Sequence, residues 1–363
     1  MRLTYVITRG DSIGGAQVHV RDLATHCASL GHYVTVVTGA AGPLTDQLTA
    51  AGIESRICTG MLREVSPHQD ISAVRDLTAI LRELKPELVS THSSKAGVIG
   101  RLASRWAGIP AIFTAHGWAF AVGVPQPRRT IYRLIERGAE RLAQRIICVS
   151  GHDRTIGIVA GMDPERLVTV HNGMPDIDSG LRADPDREGP VRLVMTARFD
   201  RQKDHETLFR ALTTLPDVGL DLIGNGPDRA ATEALAERRG IAARVRFLGQ
   251  RLDVAEILAN AHAFVLSSRW EGFPRSTLEA MRAGLPVVVG RVGGAAEAVE
   301  EGRSGFVVEP GDREQLAERL RELVHKPELR REMGAASRAR YEADFTFTRM
   351  FARTFAVYEQ ALL

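Results

Sequence analysis

Short apolar runs alternate with amphipathic helical stretches along the whole of this 363-residue chain, and the alternation breaks only once. The first series is LTYVIT (3–8), YVTVVT (33–38), ELVSTH (87–92), AIFTAH (111–116), RIICVS (145–150) and LVTVHN (167–172). A polar segment, PDIDSGLRADPDREGP (175–190), then reads as a linker. The rhythm restarts at VRLVMTA (191–197) and runs through VGLDLIG (218–224), RVRFLG (244–249), AHAFVLSS (261–268), LPVVVG (285–290) and GFVVEP (305–310). Strands that alternate with helices pair in parallel, because each return to the same end of the sheet needs a crossover. The chain is also longer than one core usually supports. Together these predict an α/β protein of two Rossmann-like halves facing each other across a cleft, with ligand at the carboxyl ends of the strands. The expected boundaries are 1–174 for the first domain, 175–190 for the linker and 191–345 for the second domain, with a helix over 346–363 returning to the first. The opening βαβ unit sets the pattern, its helix presenting Val20, Leu23, Cys27 and Leu30 on one face and stopping at Gly31.

Composition narrows the class. With 44% hydrophobic and 25% charged residues the chain can bury a full core. It has no apolar run of about 18 residues, and its amino terminus enters a strand pattern without a signal-type segment, so a cytoplasmic protein is expected, with peripheral contact to the inner face of a membrane. Cys27, Cys58 and Cys148 are odd in number and widely spaced, which suits small buried residues better than a disulfide framework or a zinc site. Charge is uneven, net +5 over residues 1–175 and −2 over the remainder. Much of the excess lies in RRTIYRLIERGAERLAQR (128–145), where Arg129, Arg133, Arg137, Arg141 and Arg145 recur every four residues beside Ile131, Leu134, Ile135 and Leu142. On one helix they form a basic stripe suited to an anionic membrane surface. A solvated face reads the same way, since Glu136 and Glu140 offer partners. Nucleic acid is not expected, for the stripe has few aromatics to stack bases and no nucleic-acid module is recognisable.

The chemistry concentrates in VLSSRWEGFPRSTLEAMRAGLPVVVGRVGG (265–294). Glu271 sits in a Gly/Pro loop after an apolar run, and Glu279 follows eight positions later in a short helical pattern closed by Gly284. Carboxylates accept hydrogen bonds from hydroxyls, and a helix N-terminus favours anions, so the pair suits an oxygen-rich ligand that bears phosphate. Arg198 and Lys203, just beyond a strand end, would neutralise a diphosphate and stabilise it as a leaving group. Gly14 and Gly15 after the first strand, and Gly224 to Pro227 after a later one, permit close backbone approach. The first pair does not fit the G-x-G-x-x-G spacing of a dinucleotide site. Asp176, Asp178, Asp184 and Asp186 have D-x-D spacing but fall in the linker, so they are read as linker polarity, and neither a metal nor another cofactor is expected.

These pieces resemble the retaining glycosyltransferases of family 4, which have the two-domain GT-B fold. The resemblance is carried by GGAQVHVRDLATHCASLGHYVTVVT (14–38), TAHG (114–117), HNG (171–173), TARFDRQKD (196–204), IGNGP (223–227), RFLG (246–249) and the E-x7-E region from Glu271. HSSKAGVIGRLASRWAG (92–108) and TAHGWAF (114–120) are most similar to enzymes that assemble capsular, exopolysaccharide or lipid-linked glycans. The resemblance implies a metal-independent hexosyltransferase that takes a nucleotide-diphosphate sugar, UDP-linked in preference to GDP-linked, and a glycan or polyprenyl-linked acceptor.

The roles it implies are residue by residue. Arg198 and Lys203 grip the diphosphate, Glu279 the ribose and Glu271 the sugar hydroxyls. Gly272, Phe273 and Pro274 present backbone to the donor, and Gly224, Gly226 and Leu248 also fall in the donor site. His116 faces the transferred sugar. Gly14 and Gly15 close on the donor, while Ser93, Ser94 and Lys95 are candidate acceptor contacts. In the front-face route that the family favours, the donor phosphate oxygen takes the acceptor's proton. Two readings from other classes are kept open, a GT-B sugar-nucleotide epimerase and a non-catalytic sugar-nucleotide binder.

Overall fold

A computed structural model describes residues 1–62 and 66–363. The chain divides into two compact units, Met1–Asn172 with Phe351–Leu363, and Gly173–Met350.

The first unit holds a seven-stranded sheet in the order β3-β2-β1-β4-β5-β6-β7, all parallel. Its strands are β1 (Arg2–Ile7), β2 (Tyr33–Thr38), β3 (Glu54–Ile57), β4 (Leu88–His92), β5 (Ala111–Ala115), β6 (Arg145–Cys148) and β7 (Leu167–Thr169). Each strand of this unit foreseen from an apolar run is present. β3, with sequence ESRI, was not foreseen; it is a largely exposed edge strand without an apolar run. β4 and β5 are buried at every position, as central strands covered on both faces must be. The helices used below are α1 (Gly15–Ser29), α2 (Pro43–Ala50), α3 (Pro67–Leu84), α4 (Ser94–Ala107), α5 (Arg128–Ala139) and α6 (Gly151–Val159). On α1, Val20, Leu23 and Cys27 are fully buried, but Leu30 is 55% exposed because the helix has ended at Ser29. Gly31 then takes φ +84°, as the expected stop requires. All three cysteines are buried and free.

The second unit holds a six-stranded parallel sheet in the order β10-β9-β8-β11-β12-β13. Its strands are β8 (Arg192–Thr196), β9 (Gly219–Ile223), β10 (Val245–Gly249), β11 (Ala263–Leu266), β12 (Val287–Gly290) and β13 (Gly305–Val308). Its helices are α7 (His205–Leu212), α8 (Arg229–Arg238), α9 (Val254–Ala259), α10 (Arg275–Ala283), α11 (Arg313–His325) and α12 (Pro327–Asp344). The segment 175–190 is not a free linker but part of this unit. Ala183 N–H donates to Ala283 O at 2.7 Å, Arg330 to Pro185 O at 2.5 Å, and Arg338 grips the Asp176 carboxylate at 2.5 and 2.6 Å. Asp186 is paired with Arg331 at 3.1 Å, so two of the four D-x-D carboxylates serve the packing of this segment. The last helix, α13 (Phe347–Gln360), begins in the second unit and from Phe351 onward belongs to the first.

The arginine stripe does not form as expected. α5 ends at Ala139, Arg141 lies in a following 3-10 turn, and Arg145 opens β6. Only Arg129, Arg133 and Arg137 share the helix. The glutamates are spent elsewhere: Glu140 accepts from Asp163 N–H at 2.7 Å, and Glu136 is buried against Arg101 at 2.6 Å. Arg101 is fully buried, donates also to Gly97 O at 2.7 Å, and lies 4.4 Å over the Phe113 ring. This pair joins α4 to α5. Removing one partner would strand the other charge in the core, at a cost of about 3–5 kcal/mol. Glu136→Ala is therefore expected to lower the unfolding free energy by that much in urea titration. Arg101→Met with Glu136→Leu should recover most of the loss, and a single variant as stable as the parent would remove the pair from the account.

His205, at the start of α7, stacks on Phe199 with centroids 4.8 Å apart and planes at 9°. Burial, reinforced by the nearby positive charge of Lys203, lowers its pKa to about 4. The unfolded imidazole titrates near 6.5, so on acidification the unfolded state takes up a proton that the native state refuses. Stability falls as pH drops below 6.5, by about 1.4 kcal/mol at pH 5.5 for this one group. Calorimetric Tm should decline between pH 7.5 and 5.5, and His205→Gln should flatten that decline. An equal slope in the variant would contradict the assignment.

Candidate active site

Both sheets reverse their winding at one point, between β1 and β4 in the first unit and between β8 and β11 in the second. At such a switch point the loops beyond the two strands diverge and open a crevice. Most of the residues singled out from sequence fall on these loops.

In the first unit the loop after β1 carries Gly14, in extended backbone, and Gly15, the first residue of α1. Beyond β4, Ser93 is the N-cap of α4, and Ser94 and Lys95 are that helix's first two residues. Ser93 has φ +67°, a left-handed conformation that costs a non-glycine residue about 1 kcal/mol or more. It is held there across the switch point by a 2.8 Å hydrogen bond to Thr8 Oγ1, which in turn accepts from Ala96 N–H at 3.1 Å. The hydroxyl of Ser93 is thus engaged with Thr8, while Lys95 reaches Asp70 on α3 at 2.6 Å.

His116 follows β5, beside Gly117 at φ +122°. It shares a 3.1 Å hydrogen bond with the buried His92, Nε2 to Nδ1. The other nitrogen of His92 meets Ser90 Oγ at 3.0 Å, and Ser90 meets the Tyr358 hydroxyl on α13 at 2.8 Å. Burial, and the nearby His116, hold His92 well below the usual histidine pKa, so it stays neutral. A neutral imidazole has one N–H, so its two bonds are coupled: if Ser90 donates to one nitrogen, the other donates to His116. His19, His92 and His116 each bring a ring nitrogen within 4.8 Å of the others, a grouping that could suggest a metal. His92 engages both ring nitrogens in hydrogen bonds, one with Ser90 and one with His116. Sequence reading found His116 but not His92 or Ser90. Ser90 and His92 lie two apart on β4, and the register of β4 with β5 brings His116 beside them.

In the second unit the loops after β8 and β11 are laced together. Arg269 N–H donates to Gln202 O at 2.8 Å, and Gln202 Nε2 donates to Trp270 O at 2.8 Å and to Glu271 at 3.3 Å. Lys203 forms an ion pair with Glu271, which also accepts from Ser268 Oγ at 2.5 Å. Lys203 and Glu271, assigned to different parts of a donor, are therefore direct partners here. Both side chains are largely buried, at 13% and 7% exposure, so their attraction is screened less than that of a surface pair. Arg198 stands outside this network, 52% exposed, with Asp200 at 3.9 Å.

α10 begins at Arg275 after Pro274, and its first turn carries no acidic residue, so its amino-terminal N–H groups remain suited to an anion. Glu279, one turn on, accepts no hydrogen bond from the described residues. Burial pushes its carboxyl up, against the opposing charges of Arg275 and Arg282. Gly284 closes the helix at φ +84°, as expected. Phe273 is buried and packs on Phe345 at 5.4 Å, leaving backbone as its contribution to the loop.

The glycines expected to make room for ligand have another immediate reason. A Cβ at Gly224 would lie 2.0 Å from Ala197 O, and one at Gly226 would lie 2.2 Å from Phe199 O. They let the loops after β8 and β9 meet. Leu248 falls where the β9–β10 register shifts. Gly293, not singled out from sequence, has φ +50° and would clash with Glu271 O at 1.8 Å, while Gly294 N–H donates to Gly272 O at 2.6 Å. These contacts fix the Glu271 loop from below. The VGG at 292–294 was the available signal.

Comparison with known proteins bears on the family and the fold. The family model described as Glycosyltransferase Family 4 matches residues 13–176, and that described as Glycosyl transferases group 1 matches 181–340. The chain is 28% identical over 303 residues to the UDP-Gal:alpha-D-GlcNAc-diphosphoundecaprenol alpha-1,3-galactosyltransferase of Escherichia coli, covering 77% of this chain and 76% of the relative. It is 29% identical over 291 residues to the putative glycosyltransferase EpsD of Bacillus subtilis, covering 74% and 76%. Among solved structures, Anabaena HepE in complex with UDP and glucose superposes with a TM-score of 0.86, at 22% identity and 99% coverage of both chains. With a family 4 half, a group 1 half and two parallel Rossmann-like sheets, this chain belongs to the GT-B glycosyltransferases of family 4.

Proposed function

We propose that the enzyme moves a hexose, with retention and without a metal, from a UDP-sugar to a lipid-linked glycan acceptor in the synthesis of a cell-surface polysaccharide. The observation that carries this reading is the second unit's switch point. A lysine and a carboxylate are paired there beside the open amino terminus of α10, and Glu279 lies one turn inside the helix. A departing diphosphate needs positive charge placed before the reaction begins. Lys203 and the α10 N-terminus supply it, with Arg198 able to swing in from solvent. Glu271 holds Lys203 in position and offers its remaining acceptor capacity to sugar hydroxyls, while Glu279 takes the ribose. His116, with its ring fixed through His92, faces the transferred sugar. Gly14, Gly15, Gly272 and Pro274 present backbone. Support for the donor comes from HepE, solved with UDP and with UDP-glucose, and for the acceptor from the galactosyltransferase whose name gives a diphosphoundecaprenol carrier.

If Lys203 stabilises the leaving group, Lys203→Ala should lower turnover by roughly 10²–10³-fold, the loss typical of one preorganised electrostatic contact. Glu279→Gln should weaken UDP affinity in calorimetry. Retention of half the parent rate by the lysine variant, or unchanged UDP affinity in the glutamine variant, would sink the corresponding role.

The same reading places the first unit at an anionic membrane surface. Arg129, Arg133, Arg137 and Arg141 are all exposed, three on α5 and one just beyond it, and no helix among the described residues is long and apolar enough to cross a membrane. Each basic residue near such a surface contributes about 1 kcal/mol. The protein should sediment with anionic vesicles, not with neutral ones, and release as salt rises. Replacing the four arginines by Gln should abolish sedimentation; pelleting of that variant like the parent would make the arginines a solvated face.

A further inference from the structure

A cavity of about 650 Å³ lies in the first unit between α3, α4 and α5. Its character changes along its length. At one end, Arg9 comes from the loop after β1 and Ser94 and Lys95 from the first turn of α4; the rest of the wall is mainly aliphatic, Ile71 and Val74 of α3, Val98 and Leu102 of α4 and Ile135 of α5, with Tyr132 and the Arg101-paired Glu136 beside them. Cavities of this size hold small ligands, and few polar groups set against aliphatic walls fix which end goes where.

The apolar end opens outward. Ile71 is 52% exposed and Ile135 is 44% exposed, and Ile131 and Leu134 beside it on α5 are exposed by 50% and 58%. Residues 131, 134 and 135 share one face of the helix. At about 100° per residue, Arg129, Arg133 and Arg137 lie on the opposite flank of the exposed arc, while Tyr132, Glu136 and Ala139 point inward. Ile71 and Ile135 line the cavity, and Ile131 and Leu134 continue the exposed apolar face of α5 beside Ile135, which is not the scattered apolar exposure of an ordinary surface.

We propose that this cavity takes the first isoprene units of an acceptor carried on an isoprenoid diphosphate. The diphosphate lies at Arg9, Ser94 and Lys95, and its sugar points toward the ends of β1 and β4. The diphosphate is where such a molecule turns from hydrophilic to apolar, and the cavity makes the same change at the start of α4. A glycan alone would lose hydration against the aliphatic walls without gaining hydrogen bonds. The Lys95–Asp70 pair at 2.6 Å marks where the anion enters, since a diphosphate competes with that carboxylate for the ammonium. The inference rests on the transferase reading above, and its test separates the two.

The experiment uses the full chain and three probes in calorimetry, at concentrations below any micelle threshold: UDP, inorganic diphosphate and a twenty-carbon prenyl diphosphate. Burying roughly two methylene groups is enough for about tenfold tighter binding, so the prenyl diphosphate should bind at least about tenfold more tightly than inorganic diphosphate. Val98→Trp, which fills the cavity, should erase that preference while leaving UDP affinity unchanged, and Ile71→Ser at the mouth should reduce it without touching the core. Equal affinity for the two diphosphates in the parent, or an undiminished preference in both variants, would overturn the proposal. Failure of the parent to bind UDP would overturn the transferase reading instead. If Val98→Trp loses UDP binding through misfolding, Ile71→Ser decides.

Discussion

The right-handed crossover governs this molecule. A parallel strand can be rejoined only by a helix that passes over one face of the sheet, and handedness fixes which face for each direction of travel. A sheet that grows outward in both directions from its first strand must therefore send successive helices to opposite faces. Where the two series part, no helix covers the strand ends. Both sheets in this chain have that order, with β1 and β4 flanking the gap in one and β8 and β11 in the other. Since helices cannot close these gaps, side chains do. Thr8 with Ser93 and Lys203 with Glu271 are the same architectural answer given twice, once with neutral hydroxyls and once with charges.

The two answers differ in polarity. A hydroxyl pair orders the backbone without creating a field. An ion pair stores a positive charge that a more negative ligand can recruit, and the carboxylate keeps the ammonium from wandering before the ligand arrives. Glu271 is itself held by Gln202 and Ser268, so the lysine rests on a fixed partner. The histidine chain of the first unit works in a third way, passing orientation through neutral groups from Tyr358 to His116.

What was legible in the sequence follows from how local each signal is. Twelve apolar runs announced twelve strands, most plainly the central β4 and β5, where burial at every position writes itself as continuous hydrophobicity. β3 was silent because its sequence, ESRI, is largely exposed and carries no apolar run. The basic stripe misled for a related reason: periodicity describes a helix only while the helix lasts, and nothing in the spacing shows that α5 ends at Ala139 or that Glu136 is committed to Arg101. At the sites, glutamate, lysine and histidine were visible as chemistry, but their partners were not. His92 is 24 residues from His116, and Lys203 is 68 from Glu271. The glycines were legible as requirements, and Gly224 and Gly226 also make room for the chain's own carbonyls.

The last helix has a consequence for how such enzymes recombine. From Phe351 onward it completes the first unit's core, its Phe351 ring edge-on to His26, Phe355 stacked with His32 and Tyr358 tilted against Tyr5. Yet these residues follow the entire second unit along the chain. A crossover anywhere between residues 173 and 350 would pair a first unit with another parent's closing helix, and the aromatic contacts together with the Ser90 hydrogen bond would be drawn from different lineages. Exchange of second units among relatives must then proceed by two breakpoints, as an insertion into a continuous first unit and not as the joining of two halves.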